Sequence, residues 1–126
     1  MGEKLWAVRG GITIPEDTPT EITTATKQLL TEIIKRNQIN PEQIVSIIFT
    51  VTNDIASEFP AVAARQLGLD STPLMCSAEI PKPGSLPLCI RVLMHFHTKL
   101  TKSEIKHVYL KDAVKLRPDL ADDRNQ

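Results

Sequence analysis

Three charged residues, Arg9, Glu79 and Arg91, stand where neighbouring residues alternate as strands do. That alternation implies partial burial, and an isolated buried charge is costly, so each should have a partner. Two readings fit. One is an internal Arg–Glu pair or an exposed edge. The other is a pocket whose arginines meet an anionic ligand, a role that suits Arg because its planar fork holds carboxylates bidentately and stays ionised. Arg65, on an expected helix, and Arg117, beside Pro118, are further candidates for the second reading. Cys76 and Cys89 read first as small buried hydrophobes; a nucleophilic thiol would want a histidine base. His95-x-His97 sets two imidazoles on one strand face, a spacing some metal sites use. No companion ligand follows at diagnostic spacing, so no metal is expected. Phosphate-binding loops, Gly-x-Gly-x-x-Gly fingerprints and Gly-x-Ser-x-Gly elbows do not occur, and Gly10-Gly11 alone supports none of them. The inventory is arginines, one carboxylate, one tyrosine (Tyr109) and a thiol.

These side chains need elements to hold them. Residues 4–13 read as a first strand, with Trp6, Val8 and Ile12 alternating with Ala7, Arg9 and Gly11. Thr18, Pro19 and Glu21 form a capping-box start for a helix with an apolar stripe of Ile22, Ala25, Leu29, Leu30, Ile33 and Ile34. Lys35 and Arg36 suit its C-terminus and Asn37 its stop. Residues 44–51, apolar and β-branched, fit a central strand covered on both faces. A short helix starts near Pro60 and ends at Gly68. Strands are expected over residues 74–80 and 88–97, the second placing Ile90, Val92, Met94 and Phe96 on one face and Cys89, Arg91, Leu93, His95 and His97 on the other. A stiff loop at residues 81–85 separates them. Residues 107–110 make a short last strand and residues 112–120 a helical turn. The fold class is α+β: a mixed sheet with helices on one face, in the order β-α-β-α-β-β before that last short strand. Helices between the early strands imply parallel crossovers. The uncovered sheet face calls for neighbouring subunits.

The chain has 126 residues, 15 basic and 15 acidic, enough for one domain over residues 1–126 with a polar tail at 121–126. Zero formal net charge argues against nucleic acid as a partner. Aromatics at 4 % leave little for base stacking. No apolar run exceeds that of Ala61–Ala64, so no membrane partner is expected. Two cysteines without a signal-peptide pattern point to a cytoplasmic protein.

The segments Val8-Arg9-Gly10-Gly11, Phe59-Pro60-Ala61 with Arg65, Cys76-x-x-Glu79, Cys89-Ile90-Arg91-Val92, His107-Val108-Tyr109-Leu110 and Leu116-Arg117-Pro118-Asp119-Leu120 follow one another along nearly the whole chain. In that order and spacing they resemble the AroH class of chorismate mutases, the small monofunctional type. The resemblance implies a homotrimer with a barrel-like centre and active sites between adjacent subunits. It implies the Claisen rearrangement of chorismate to prephenate, the branch step toward phenylalanine and tyrosine, with chorismate as the small-molecule partner. That reaction is intramolecular and pericyclic, so the resemblance implies no nucleophile, metal or cofactor. The protein helps by holding the compact conformer and stabilising charge as the ether bond breaks.

By the same resemblance Arg91 donates to the ether oxygen and holds a carboxylate, and Arg9 and Tyr109 bind carboxylate. Glu79 accepts from the ring hydroxyl, helped by Cys76. Met75, Cys76, Ser77 and Ala78 line the pocket largely through main chain. Phe59, Ala61 and Leu116 are apolar walls, and Arg65 and Arg117 gather the anion. Cys76 and Glu79 pose a difficulty, since residues three apart on a regular strand face opposite ways. The strand must bulge or end between them, or the two must serve from different subunits. Val62 and Met75 depart from the family pattern, standing where a basic and a smaller polar residue are usual. A non-catalytic trimeric binder or sensor of a small dianion is the alternative function, and a protein whose open sheet face only drives oligomerisation is a third.

Overall fold

The first strand, β1 (Lys4–Thr13), turns Val8 and Ile12 into the interior and leaves Arg9 exposed, as its alternation requires. The computed structural model describes residues 2–118; the expected end of the helical turn at 119–120 and the tail at 121–126 lie outside them. The helix α1 (Pro19–Arg36) begins where Thr18 Oγ1 accepts from the Glu21 N–H at 3.1 Å. Thr18 gives its own N–H to the Glu16 carbonyl at 3.1 Å, so the cap is carried by the threonine hydroxyl. Ile22, Ala25, Leu29, Leu30 and Ile33 are buried along one stripe. At its end the buried Asn37 amide donates to the carbonyls of Ile33 and Lys106, both at 2.9 Å, and accepts from the Lys106 N–H at 2.7 Å. Asn37 therefore stops the helix and fastens it to a distant segment.

The remaining elements are β2 (Ile44–Val51), α2 (Ala61–Gln66), β3 (Leu74–Ala78), β4 (Cys89–Thr98) and β5 (Val108–Leu110). Gly68, at φ +88°, closes α2 in the left-handed conformation that favours glycine. The sheet order is β3-β2-β4-β1-β5. β4 runs antiparallel to both β1 and β2, while β2 pairs parallel with β3 and β1 parallel with β5. The expected parallel crossovers are present: β2-α2-β3 joins neighbours, and β1-α1-β2 joins two strands that both run antiparallel to β4 and so parallel to each other, with β4 between them. Three expectations are corrected. β2 is buried at Ile47 and Phe49 but only half-buried at Ile48 and Thr50, so one of its faces is covered within the chain. β3 stops at Ala78 rather than residue 80. The last turn is a 3-10 segment over Lys111–Lys115.

Both helices lie on one face, over a core that includes Val8, Ile12, Leu29, Ile33, Phe49, Ile90, Met94 and Phe96. A second small cluster of Cys89, Tyr109 and Ala113, joined by Leu86, Val114 and Leu116, sits apart from it. Gly10 and Gly11 serve the two faces in turn. A Cβ on Gly10 would lie 2.8 Å from Ile33 Cδ1 and 3.0 Å from the Val108 carbonyl oxygen; one on Gly11 would lie 3.3 Å from both Tyr109 Cδ1 and Ala113 Cβ. The glycine pair is a packing device that lets α1 and Tyr109 approach β1.

Candidate active site

Register places Ser77, Thr50, Arg91, Gly11 and Tyr109 in one row across all five strands. Cross-strand partners project to the same face, so this row belongs to the face without helices. Within it Arg91 Nε donates to Glu79 Oε2 at 3.0 Å, and its terminal nitrogen donates to Oε1 at 2.9 Å. The geometry is a bidentate fork. Thr50 Oγ1 donates to Glu79 Oε2 at 2.6 Å. The arginine side chain is 46 % exposed and the glutamate 15 %, so the cation keeps an open side while the anion is enclosed. The Arg–Glu pair expected as one reading and the arginine facing outward expected as the other are the same residues.

Glu79 reaches this face by ordinary alternation, two residues beyond Ser77, and its N–H donates to the Val51 carbonyl at 2.9 Å, extending the pairing with β2 past Ala78. Cys76 packs, half-buried, against the main core on the other side of β3. The two therefore do not meet within the chain. Cys76 instead shares a cavity of about 290 Å³ with Val51, Ile55, Phe59, Ser77 and Ala78. Phe59 and Met75 are strongly exposed, at 66 % and 63 %. Arg65 is exposed on α2, and Val62 is half-buried there. Ala61 is buried and packs in the main core.

Arg9 lies two residues along β1 from Gly11, opposite Leu93, and lines another cavity with Trp6, Lys102 and His107. Its N–H donates to His107 Nδ1 at 2.9 Å, which requires that nitrogen to be unprotonated. Burial and, after it, the charges of Arg9 and Arg117 hold His107 below the usual imidazole range. Tyr109 is buried under Gly11, and Leu116 packs beside it. Cys89 is buried, and its thiol is pushed up to about 12 by that burial first and by the Glu79 carboxylate next. It is the inert hydrophobe its strand position implied. His95 Nδ1 lies 3.2 Å from Ser46 Oγ.

Sequence reasoning passed over Thr50 and His107 as site residues. Thr50 was read only as strand-forming, yet Ser46, Ile48 and Thr50 recur at period two, and two polar residues of three mark the solvent-facing side of β2.

The family model described as chorismate mutase type I matches residues 5–120. The chain is 49 % identical over 114 residues to a chorismate mutase from Thermus thermophilus, spanning 90 % of this chain and 93 % of the relative. It is 42 % identical over 119 residues to one from Bacillus subtilis, spanning 94 % of each. A solved chorismate mutase from Clostridium thermocellum superposes with a TM-score of 0.85 at 51 % identity, over 86 % of this chain and 96 % of that one.

Proposed function

The chain belongs to the chorismate mutase type I family, and we propose from that premise that the Arg91–Glu79 row is the catalytic half of its active site. The chain is a chorismate mutase, an isomerase that rearranges chorismate to prephenate in aromatic amino-acid biosynthesis. Chorismate carries two carboxylates and a ring hydroxyl. Arg91 holds one carboxylate and donates to the ether oxygen as negative charge grows there, and Glu79 accepts from the ring hydroxyl. Arg9 and Tyr109 take the carboxylates at the far side of Gly11. Fixed donors aimed at charge that appears only in the transition state speed the step, and confinement to the compact conformer removes much of the entropic barrier.

The observation that carries this reading is the bidentate fork with an open arginine flank. The apolar wall comes from a neighbouring copy in a homotrimer. Phe59, Met75 and Cys76 lie at the β3 edge, and Cys76 faces away from Glu79, so they serve the site of the next subunit. β3 is a sheet edge, and the main chain of Met75–Ala78 offers its outer polar groups there. No helix of the described residues is long and apolar enough to cross a membrane, and the reading places the enzyme in the cytoplasm.

The test is to add chorismate to the purified protein and follow loss of its diene absorbance. Loss well above the uncatalysed rate, with sizing that gives a trimer, supports the reading. A folded protein with no such loss refutes it.

A further inference from the structure

We propose that Thr50 is a positioning residue for Glu79: its hydroxyl fixes which carboxylate oxygen stays with the protein and which turns to the substrate. Oε2 is engaged twice, by Thr50 Oγ1 at 2.6 Å and by Arg91 Nε at 3.0 Å; Oε1 receives only the terminal arginine nitrogen, at 2.9 Å, among these three donors. When chorismate binds as read above, Arg91 redirects donors to the ether oxygen and a substrate carboxylate. Glu79 then loses guanidinium contacts at the moment its own orientation matters. The terminal torsion of a glutamate is broad, so a carboxylate released by the arginine swings freely unless another donor keeps it.

Thr50 is built to be that donor. Its side chain is β-branched and stiff at the first torsion. Its backbone is registered between Ser77 of β3 and Arg91 of β4, so the hydroxyl projects from the sheet's interior rather than from a loop. A short hydroxyl–carboxylate bond is charge-assisted and among the stronger ones available. With Oε2 retained by Thr50, Oε1 is the oxygen that meets the ring hydroxyl. Arg91 can then exchange partners without disordering the base of the site.

This inference rests on the chorismate mutase reading. The experiment measures kcat and KM for the wild type, Thr50→Val and Thr50→Ser, with circular dichroism and Tm for each. Hydrogen bonds to charged groups carry enough free energy that loss of this one lowers kcat by about tenfold or more in Thr50→Val, with a smaller change in KM. Thr50→Ser, which keeps the hydroxyl, stays close to the wild type in kcat. Valine suits a strand, so Tm changes little. If Thr50→Val fails to fold, Thr50→Ala replaces it with the same expected loss. An inactive wild type refutes the family reading and this inference with it. An active wild type beside an equally active Thr50→Val overturns the inference alone. So does a Thr50→Ser variant as impaired as Thr50→Val, or an effect confined to KM.

Discussion

The proposed role asks of Arg91 what a lysine cannot do: its fork already fits a carboxylate, and in that proposal the same planar donors serve the ether oxygen. Arg91→Lys keeps the charge and loses that geometry. Its turnover should fall by about two to three decades, the usual cost of one transition-state donor; near-normal turnover would sink the assigned role. The two adjacent glycines separate stability from function. Gly10→Ala drives a methyl into Ile33 and the Val108 carbonyl, so it should cost about 1–3 kcal/mol of stability, read as a lower denaturant midpoint. Gly11→Ala presses instead on Tyr109 and Ala113, on the face of the proposed site. It should raise KM by about tenfold, a change of about 1.4 kcal/mol, with a milder effect on the midpoint. Cys89 offers a third check. With its thiol buried and pushed up to about 12, it should resist alkylation in a native Cys76→Ser protein and react once denaturant is added, as mass spectrometry would report.

Asn37 shows how one side chain can decide an element's end. It is 2 % exposed, and its amide satisfies the buried Ile33 carbonyl on α1 and the part-buried main chain of Lys106. Asn37→Ala should cost about 1–3 kcal/mol through the unsatisfied Lys106 N–H, seen as a lower Tm with chorismate turnover retained at low temperature. The bounds of β1, α1 and β2 were legible because each follows from local signals: alternation, a proline at the first helical position, a β-branched run. The order of strands was not, since insertion of β4 between β1 and β2 is a pairing of distant segments that no local pattern encodes. The site followed the same division. Arg9, Glu79 and Arg91 stood out as charges at strand positions. The meeting of Glu79 with Arg91 at 2.9–3.0 Å depends on distant segments pairing through β2, while Cys76 on the opposite face follows from the plain alternation of β3.

At the scale of the molecule, His107 couples pH to stability. Its folded pKa lies below the ordinary 6.5, so the unfolded chain takes up the proton first as pH falls. The stabilising contribution is complete above the ordinary value and is lost as pH drops from there toward the lower folded value. Tm should therefore decline between about pH 7 and pH 5, and His107→Gln, which can still accept from the Arg9 N–H without titrating, should flatten that decline. The strand order bears on synthesis as well. β1 leaves the ribosome first, yet its neighbours are β4 and β5, the last strands to be made. A nascent chain that stops short of residue 89 already carries Arg9 and Glu79 but has nothing to set between them. The sheet cannot close around β1 until the final strand emerges, and topologies of such long-range pairing fold slowly. Trp6, the sole tryptophan, sits on that first strand opposite Phe96. Its fluorescence would follow the closing step directly, and the rise of catalytic competence should keep time with it rather than with the earlier formation of α1.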